Sequence, residues 1–145
     1  MSYVIGIDLG TTNSVVAIHK NGIAEVIPNA EGGKLTPSVV LFRDGDSPLV
    51  GDLAKRQAIV NPSHTVRSVK RLMGRRMSEV RDAASYQADI IASSADEDEV
   101  HLLIDGRQIA PVEVSALILE KLRLTASEYL GEEITQAIIT VPAYF

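Results

Sequence analysis

The chain has 145 residues, of which 46% are hydrophobic and 4% aromatic, enough for one domain with an aliphatic core. Its formal charge of -5 argues against a general nucleic-acid or membrane-surface binder, because such partners attract basic surfaces. Cysteine is absent, which excludes disulfides and thiolate metal sites, and polar residues interrupt the apolar start too early for a signal peptide or membrane span. These features predict a globular protein of the reducing cytoplasm.

The first part of the chain predicts strands joined by short turns. Lys20-Asn21-Gly22 favours a hairpin, and Thr36-Pro37-Ser38 predicts a corner. The predicted strands are Val4 to Leu9, Val15 to His19, Ala24 to Ile27 and Val39 to Phe42.

The middle of the chain predicts two short helices. Asp52 is the expected N-terminal cap of the first, which runs from Leu53 to Ile59. The second is expected from Thr65 to Met73, with Gly74 at its C-terminal end. Residues 78–94 have weak periodicity and predict no particular element.

The last third predicts a hairpin, a long helix and a strand. Asp105-Gly106 suits a type I′ turn between two strands, and Pro111 and Gly131 are the expected first and last residues of the helix. Ala137 to Val141 has the composition of a buried strand, and the abrupt end after it indicates a longer parent chain. The predicted apolar helix face contains Leu119, Leu122, Ala126, Tyr129 and Leu130.

The order of these elements predicts the fold class. A strand meander, an insertion, a long helix and a final strand indicate an α/β fold with a mixed sheet flanked by helix. Residues from about 39 to 110 are expected to form a lobe inserted between the two parts of the sheet.

The opening stretch "GIDLGTTNS" carries the chemistry. Gly10 allows a tight turn and close approach of a ligand, and Thr11 to Ser14 offer backbone and side-chain donors that suit phosphate oxygens. Asp8 would repel phosphate unless a divalent cation stood between them. The stretch therefore predicts a hairpin for a Mg²⁺-nucleotide phosphate. An ordinary polar turn, with Asp8 hydrogen-bonded near a strand end, explains the same residues.

The segment from Gly6 to Ser14 resembles the first phosphate motif of the 70-kilodalton heat-shock chaperones, most closely the DnaK type. "NAEGGKLTPSVV", "VGDLAKRQAIVNP", "VKRLMGR" and "ITVPAYF" are similar to successive blocks of the same ATPase domain, in the same order. The resemblance implies an actin-like fold built on a ribonuclease-H-like sheet. It implies the first lobe only, without the second lobe or the peptide-binding domain.

The resemblance also implies a division of this lobe and a function for its parent. Residues 1–38 and 112–145 would form the core subdomain, and residues 39–111 the inserted outer subdomain. The parent would be an ATP-dependent chaperone that binds unfolded polypeptides with a J-domain co-chaperone and a nucleotide-exchange factor. The fragment alone is not expected to hydrolyse ATP efficiently, because half of the phosphate donors and most cation ligands would lie in the second lobe.

The resemblance assigns roles to individual residues. Asp8 would hold Mg²⁺ through water, and Lys70 would be the catalytic lysine beside the γ-phosphate of ATP. Pro142 and Tyr144 would relay between the nucleotide and the peptide-binding domain. The residues implied to bind the phosphates of ATP or ADP are Gly10, Thr11, Thr12 and Asn13.

Other interpretations of these residues stay open. Lys70 is also typical of a solvated helix face. Pro142 is also typical of a residue that ends a strand, and Tyr144 of a tyrosine buried in the core. A nucleic-acid patch around Lys70 is disfavoured, because no aromatic stacking residues are interleaved with the basic ones.

Three alternative functions also stay open. The lobe could pair with itself as a homodimer, or dock partners without turning over nucleotide. It could also belong to the wider actin and sugar-kinase group with another substrate, against which "TPSVV" and "VKRLMGR" argue.

Overall fold

The computed structural model describes residues 3–81 and 83–142, with the side chains of residues 84 and 85 excluded. Short 3₁₀ turns lie at Pro62–His64, Val69–Leu72, Met77–Glu79 and Ala83–Tyr86. The helices are α1 (Asp52–Gln57) and α2 (Pro111–Leu130). The strands are β1 (Val4–Asp8), β2 (Asn13–Lys20), β3 (Ile23–Val26), β4 (Thr36–Pro37), β5 (Val39–Arg43), β6 (Asp46–Val50), β7 (Thr65–Arg67), β8 (Asp89–Ala92), β9 (Val100–Ile104), β10 (Arg107–Ile109) and β11 (Gln136–Thr140).

A five-stranded sheet forms the centre of the fold. Its order is β11-β1-β2-β3, and the short strand β4 pairs with the start of β2. β1 runs parallel to β11 and antiparallel to β2, so the sheet is mixed. The predicted α/β class with a mixed sheet is therefore confirmed.

Residues 39–109 build two smaller antiparallel sheets. One has the order β6-β5-β7 and the other β10-β9-β8. The turn between β9 and β10 has positive φ at Asp105 and Gly106, 49° and 76°, which is the predicted type I′ geometry. The turn between β2 and β3 repeats it at Asn21 and Gly22.

Helix α2 covers one face of the central sheet. Ile5 and Ile7 of β1 and Val16 of β2 alternate with more exposed neighbours and are buried on that face. They share one core with residues of α2 and of the two smaller sheets. The opposite face of the central sheet is left largely open.

The observed buried stripe of α2 differs in part from the predicted one. Leu122 and Ala126 are buried as predicted, but Tyr129 is half exposed, because the face of α2 that meets the sheet is rotated from the predicted face. The helix ends at Gly131 as predicted, with φ of 71° at the glycine. Within the described ranges no helix is long and apolar enough to cross a bilayer. The buried residues of α2 are Pro111, Val114, Ser115, Ile118, Leu122, Thr125 and Ala126.

The helix predicted from Thr65 to Met73 is wrong. The β-branched residues Thr65 and Val66 instead pair with β5 as part of β7, where their shape is favoured. Ser68 then adopts φ of 56°, which no helix tolerates, and only a 3₁₀ turn follows.

The N-terminal cap predicted for the first helix is also wrong. Gly51 is the cap residue of α1, and Asp52 lies inside the helix, where its carboxylate accepts a hydrogen bond from the Asn29 side-chain amide at 3.3 Å. The Asp52 carboxylate therefore hydrogen-bonds to the loop that contains Asn29, and no side chain caps the N-terminus of α1.

The expectation that the last strand is buried is wrong as well. All five residues of β11 are exposed, because β11 lies at the edge of the central sheet and pairs there only with β1 among the described strands. The apolar composition of a strand therefore does not indicate whether that strand lies at the centre or at the edge of its sheet.

We expect Leu122→Ala to lower the free energy of unfolding by about 2–5 kcal/mol, because the Leu122 side chain is fully buried in the main core. Leu124→Ala is the matched control on the same helix, since Leu124 is 44% exposed. Urea unfolding of the two variants measures the difference. Equal losses would contradict the observed orientation of α2.

Candidate functional site

The turn between β1 and β2 is closed by a close contact between backbone segments. Asp8 ends β1 and Asn13 begins β2, so only residues 9–12 connect them. A Cβ atom placed on Gly10 would lie 2.0 Å from the carbonyl oxygen of Asn13. Such a contact is impossible for any other residue unless the backbone moves, so this turn needs glycine for space.

Ser38 holds this turn in place through hydrogen bonds, and it lies directly after β4, where the chain leaves the central sheet. Its hydroxyl donates to the Gly10 carbonyl oxygen at 2.8 Å and lies 2.9 Å from the Ser14 hydroxyl. Its backbone amide donates to the Thr12 carbonyl oxygen at 2.9 Å. Ser14 and Ser38 are both buried, so the two hydroxyls are protected from competing water.

Asp8 lies at the carboxyl end of two parallel strands. It stands opposite Thr140 in the register of β1 and β11, and the Thr140 hydroxyl donates to the Asp8 carboxylate at 2.9 Å. Open α/β sheets bind ligands beyond the carboxyl ends of their parallel strands. The exposed Asp8 carboxylate is therefore oriented at the edge where this architecture places ligands.

The residues after Gly10 are accessible. Thr12 is exposed, and Thr11 and Asn13 are half-buried. Among the described residues, no backbone oxygen accepts a hydrogen bond from the amide of Thr11 or Thr12. These donors surround a tight turn without internal partners, which is the arrangement that suits an anionic oxygen.

Lys70 lies in the 3₁₀ turn Val69–Leu72, directly beyond β7. Ser68, in a left-handed conformation, redirects the chain between the two elements. The Lys70 side chain is half-buried and forms no ion pair with another described residue.

A short path through the backbone connects Lys70 with the turn. The Thr12 carbonyl accepts from Ser38, and Val39, the next residue, lies opposite Arg67 in the pairing of β5 with β7. Lys70 follows Arg67 by three residues. No described hydrogen bond or ion pair joins Lys70 to the turn itself.

Pro142 follows β11 by two residues, at the end of the sheet where Asp8 and Thr140 meet. It is half-buried. Tyr144, the other predicted relay residue, lies outside the described residues.

A large open cavity lies elsewhere. It measures about 910 Å³ between the turns of the β5–β6 and β9–β10 hairpins and the first half of α2. Asp44 and Asp105 meet at its rim, and the hydrogen bond and charge of Asp105 raise the pKa of Asp44. No predicted site residue lines this cavity.

Neither Ser38 nor Thr140 is among the site residues predicted from the sequence. Ser38 is one small polar residue in a corner, and its partner Gly10 lies 28 positions away. Thr140 could have been noticed as the polar end of an apolar strand, but its contact with Asp8 depends on the pairing of β1 with β11.

The chain matches the Hsp70 protein family over residues 4–145. It therefore belongs to this family, and what matches is part of a chaperone ATPase domain. Members of the family bind ATP or ADP with Mg²⁺, and the full proteins act on unfolded polypeptides together with co-chaperones.

We expect Gly10→Ala to lower the free energy of unfolding by more than about 2 kcal/mol, because the new methyl group would collide with backbone that cannot rotate away. Gly6→Ala, on the preceding strand β1, is the matched control, since its nearest contact would lie at 4.0 Å. The control should be neutral or stabilising by about 0.4–1 kcal/mol. Urea unfolding measures both, and a neutral Gly10→Ala would refute the tight turn.

We expect Ser38→Ala to cost about 1–3 kcal/mol of unfolding free energy, because the buried Ser14 hydroxyl and the Gly10 carbonyl each lose a partner. Ser63→Ala, at an exposed serine, should stay within about 0.5 kcal/mol of the unaltered chain. Thermal unfolding at matched concentration compares the two variants. Similar losses would show that Ser38 does not fasten the turn.

Proposed function

We propose that the chain is the first lobe of the nucleotide-binding domain of a DnaK-type chaperone, and that the turn after β1 binds the phosphates of ATP or ADP. The observation that carries this proposal is the glycine turn itself. Gly10 leaves no side chain over the turn, and the amides of Thr11 and Thr12 lack partners among the described residues. Both features suit an approaching phosphate.

The donor set at the turn fits Mg²⁺ held indirectly. Asp8 is an exposed carboxylate beside the turn, and no group of three or more His, Cys, Asp or Glu side chains in the described ranges could enclose a metal ion. A hard cation that keeps several waters and takes phosphate oxygens needs few carboxylates from the protein. Asp8 would then hold Mg²⁺ through water while Gly10, Thr11, Thr12 and Asn13 contact phosphate.

Lys70 would place an ammonium group near the γ-phosphate. Phosphoryl transfer depends mainly on positioning and on stabilisation of charge, which a cation without a competing ion pair can supply. Its half-buried side chain without an ion pair and the short path from Thr12 through Ser38 to β7 support this role. Pro142, beyond the strand that carries Thr140, would relay changes at the turn, with Tyr144 as its proposed partner in that relay.

The same proposal divides the lobe into two subdomains. The core would comprise residues 1–38 and 112–145, which contain all strands of the central sheet, and the outer subdomain residues 39–111. A J-domain protein and a nucleotide-exchange factor would act on the full cytoplasmic protein. The fragment alone would bind nucleotide weakly and hydrolyse it poorly, since it presents donors from one side only.

Calorimetric titration with Mg-ADP tests the nucleotide proposal. We expect saturable binding with a Kd of about 0.1–1 mM, because a half-site offers few contacts against the entropy cost of binding. Asp8→Ala and Thr12→Ala should each weaken binding at least about tenfold. Lys20→Ala, at the far end of β2, is the control and should leave affinity unchanged. Absence of heat at millimolar nucleotide, or equal affinity in all variants, would contradict a phosphate site at this turn.

A further inference from the structure

One oxygen atom of the Asp8 carboxylate is already engaged by the neighbouring strand. The Thr140 hydroxyl donates to Oδ1 of Asp8 at 2.9 Å, within the usual range for a hydroxyl donor. Because the acceptor is a carboxylate, this hydrogen bond is charge-assisted and stronger than one between neutral groups. The bond therefore commits Oδ1 to Thr140 and resists rotation of the carboxylate.

The pairing of β1 with β11 places Thr140 where it can make this bond. Asp8 and Thr140 are register partners on adjacent strands, so their side chains project from the same face of the sheet. Threonine is β-branched and has few χ1 rotamers, so the backbone largely fixes the position of its hydroxyl. Val15, the partner of Asp8 on β2, has no polar side-chain atom, and Gly6, two residues earlier on β1, has no side chain. Of these described neighbours, Thr140 alone can orient the carboxylate.

Divalent cations differ in how they use a carboxylate. Ca²⁺ accepts a large and flexible set of oxygen ligands and commonly takes both oxygens of one carboxylate. Mg²⁺ demands octahedral geometry and keeps several of its waters, so a single carboxylate oxygen that accepts from such a water is enough. Both oxygens of Asp8 become available to a cation only if the bond from Thr140 breaks.

We propose that Thr140 is a positioning residue that makes Asp8 select Mg²⁺ over Ca²⁺, because its hydroxyl holds Oδ1 and leaves one oxygen to face the cation of a bound nucleotide. This inference rests on the proposed function, since it concerns the cation that accompanies the nucleotide phosphates. It assigns the choice of cation to a residue that lies outside the turn after β1.

A purely structural role for Thr140 makes a different prediction. The bond lies at an exposed strand end, and β1 and β11 are also joined over the register from Val4 to Asp8. Loss of the hydroxyl should therefore shift the melting temperature by less than about 2 °C. If Thr140 only supported this pairing, its removal would weaken the binding of ADP with either cation by the same factor.

Calorimetric titration of ADP at saturating Mg²⁺ or saturating Ca²⁺ separates these roles. Thr140→Val keeps the shape of the side chain without its hydroxyl, and Thr140→Ser keeps the hydroxyl. We expect the ratio of Mg-ADP affinity to Ca-ADP affinity to fall about three- to tenfold in Thr140→Val and to be retained in Thr140→Ser. Thr135→Val, at an exposed threonine just before β11, is the matched control and should retain the ratio. An unchanged ratio in Thr140→Val would overturn the proposal.

Asp8→Ala distinguishes failure of this inference from failure of the nucleotide site. If Asp8→Ala leaves the affinity for both Mg-ADP and Ca-ADP unchanged, Asp8 does not face the cation and both proposals are refuted. If Asp8→Ala weakens binding while Thr140→Val preserves the ratio, the nucleotide site stands and only the role of Thr140 is refuted.

A measurement without nucleotide tests the orientation directly. The side-chain scalar couplings of Asp8 in solution NMR report how many χ1 rotamers it populates. We expect one dominant rotamer in the unaltered chain and in Thr140→Ser, and averaging over several in Thr140→Val, because only the last lacks the donor to Oδ1. Averaging in the unaltered chain, or one rotamer in all three proteins, would refute positioning by Thr140 whether or not nucleotide binds.

Discussion

The hydrogen bond from the Ser38 hydroxyl to the Gly10 carbonyl oxygen, 2.8 Å long, is the contact on which the candidate site depends. Gly10 can make the turn only because it has no side chain beside Asn13. A turn built on glycine is costly to order, since glycine loses more conformational entropy than other residues on folding. Ser38, together with buried Ser14, compensates by hydrogen-bonding the turn to the segment that follows β4.

Ser38 lies between two parts of the chain that belong to different sheets. The strand before it, β4, pairs with β2 of the central sheet, and the strand after it, β5, pairs with β7 in a smaller sheet. The pairing of β5 with β7 continues this connection towards Ser68, whose left-handed backbone precedes the Lys70 segment.

The sequence predicted the local parts of this arrangement well and the long-range parts poorly. Asn21-Gly22, Asp105-Gly106 and Gly131 follow local backbone preferences, and each adopts the predicted geometry. Thr65 was misassigned because its strand exists only through pairing with β5. The exposure of β11 and the Ser38 contact likewise depend on which segments lie side by side, and no periodicity along the chain encodes that.

Native-state hydrogen exchange of the Ser38 amide, without nucleotide, tests the account most directly. This amide donates to the Thr12 carbonyl oxygen and reports whether the turn is fastened in the free protein. The account predicts protection close to that of the central strands, with exchange requiring near-global unfolding. Exchange as fast as that of an exposed loop, in an otherwise folded chain, would contradict a preformed turn held by Ser38.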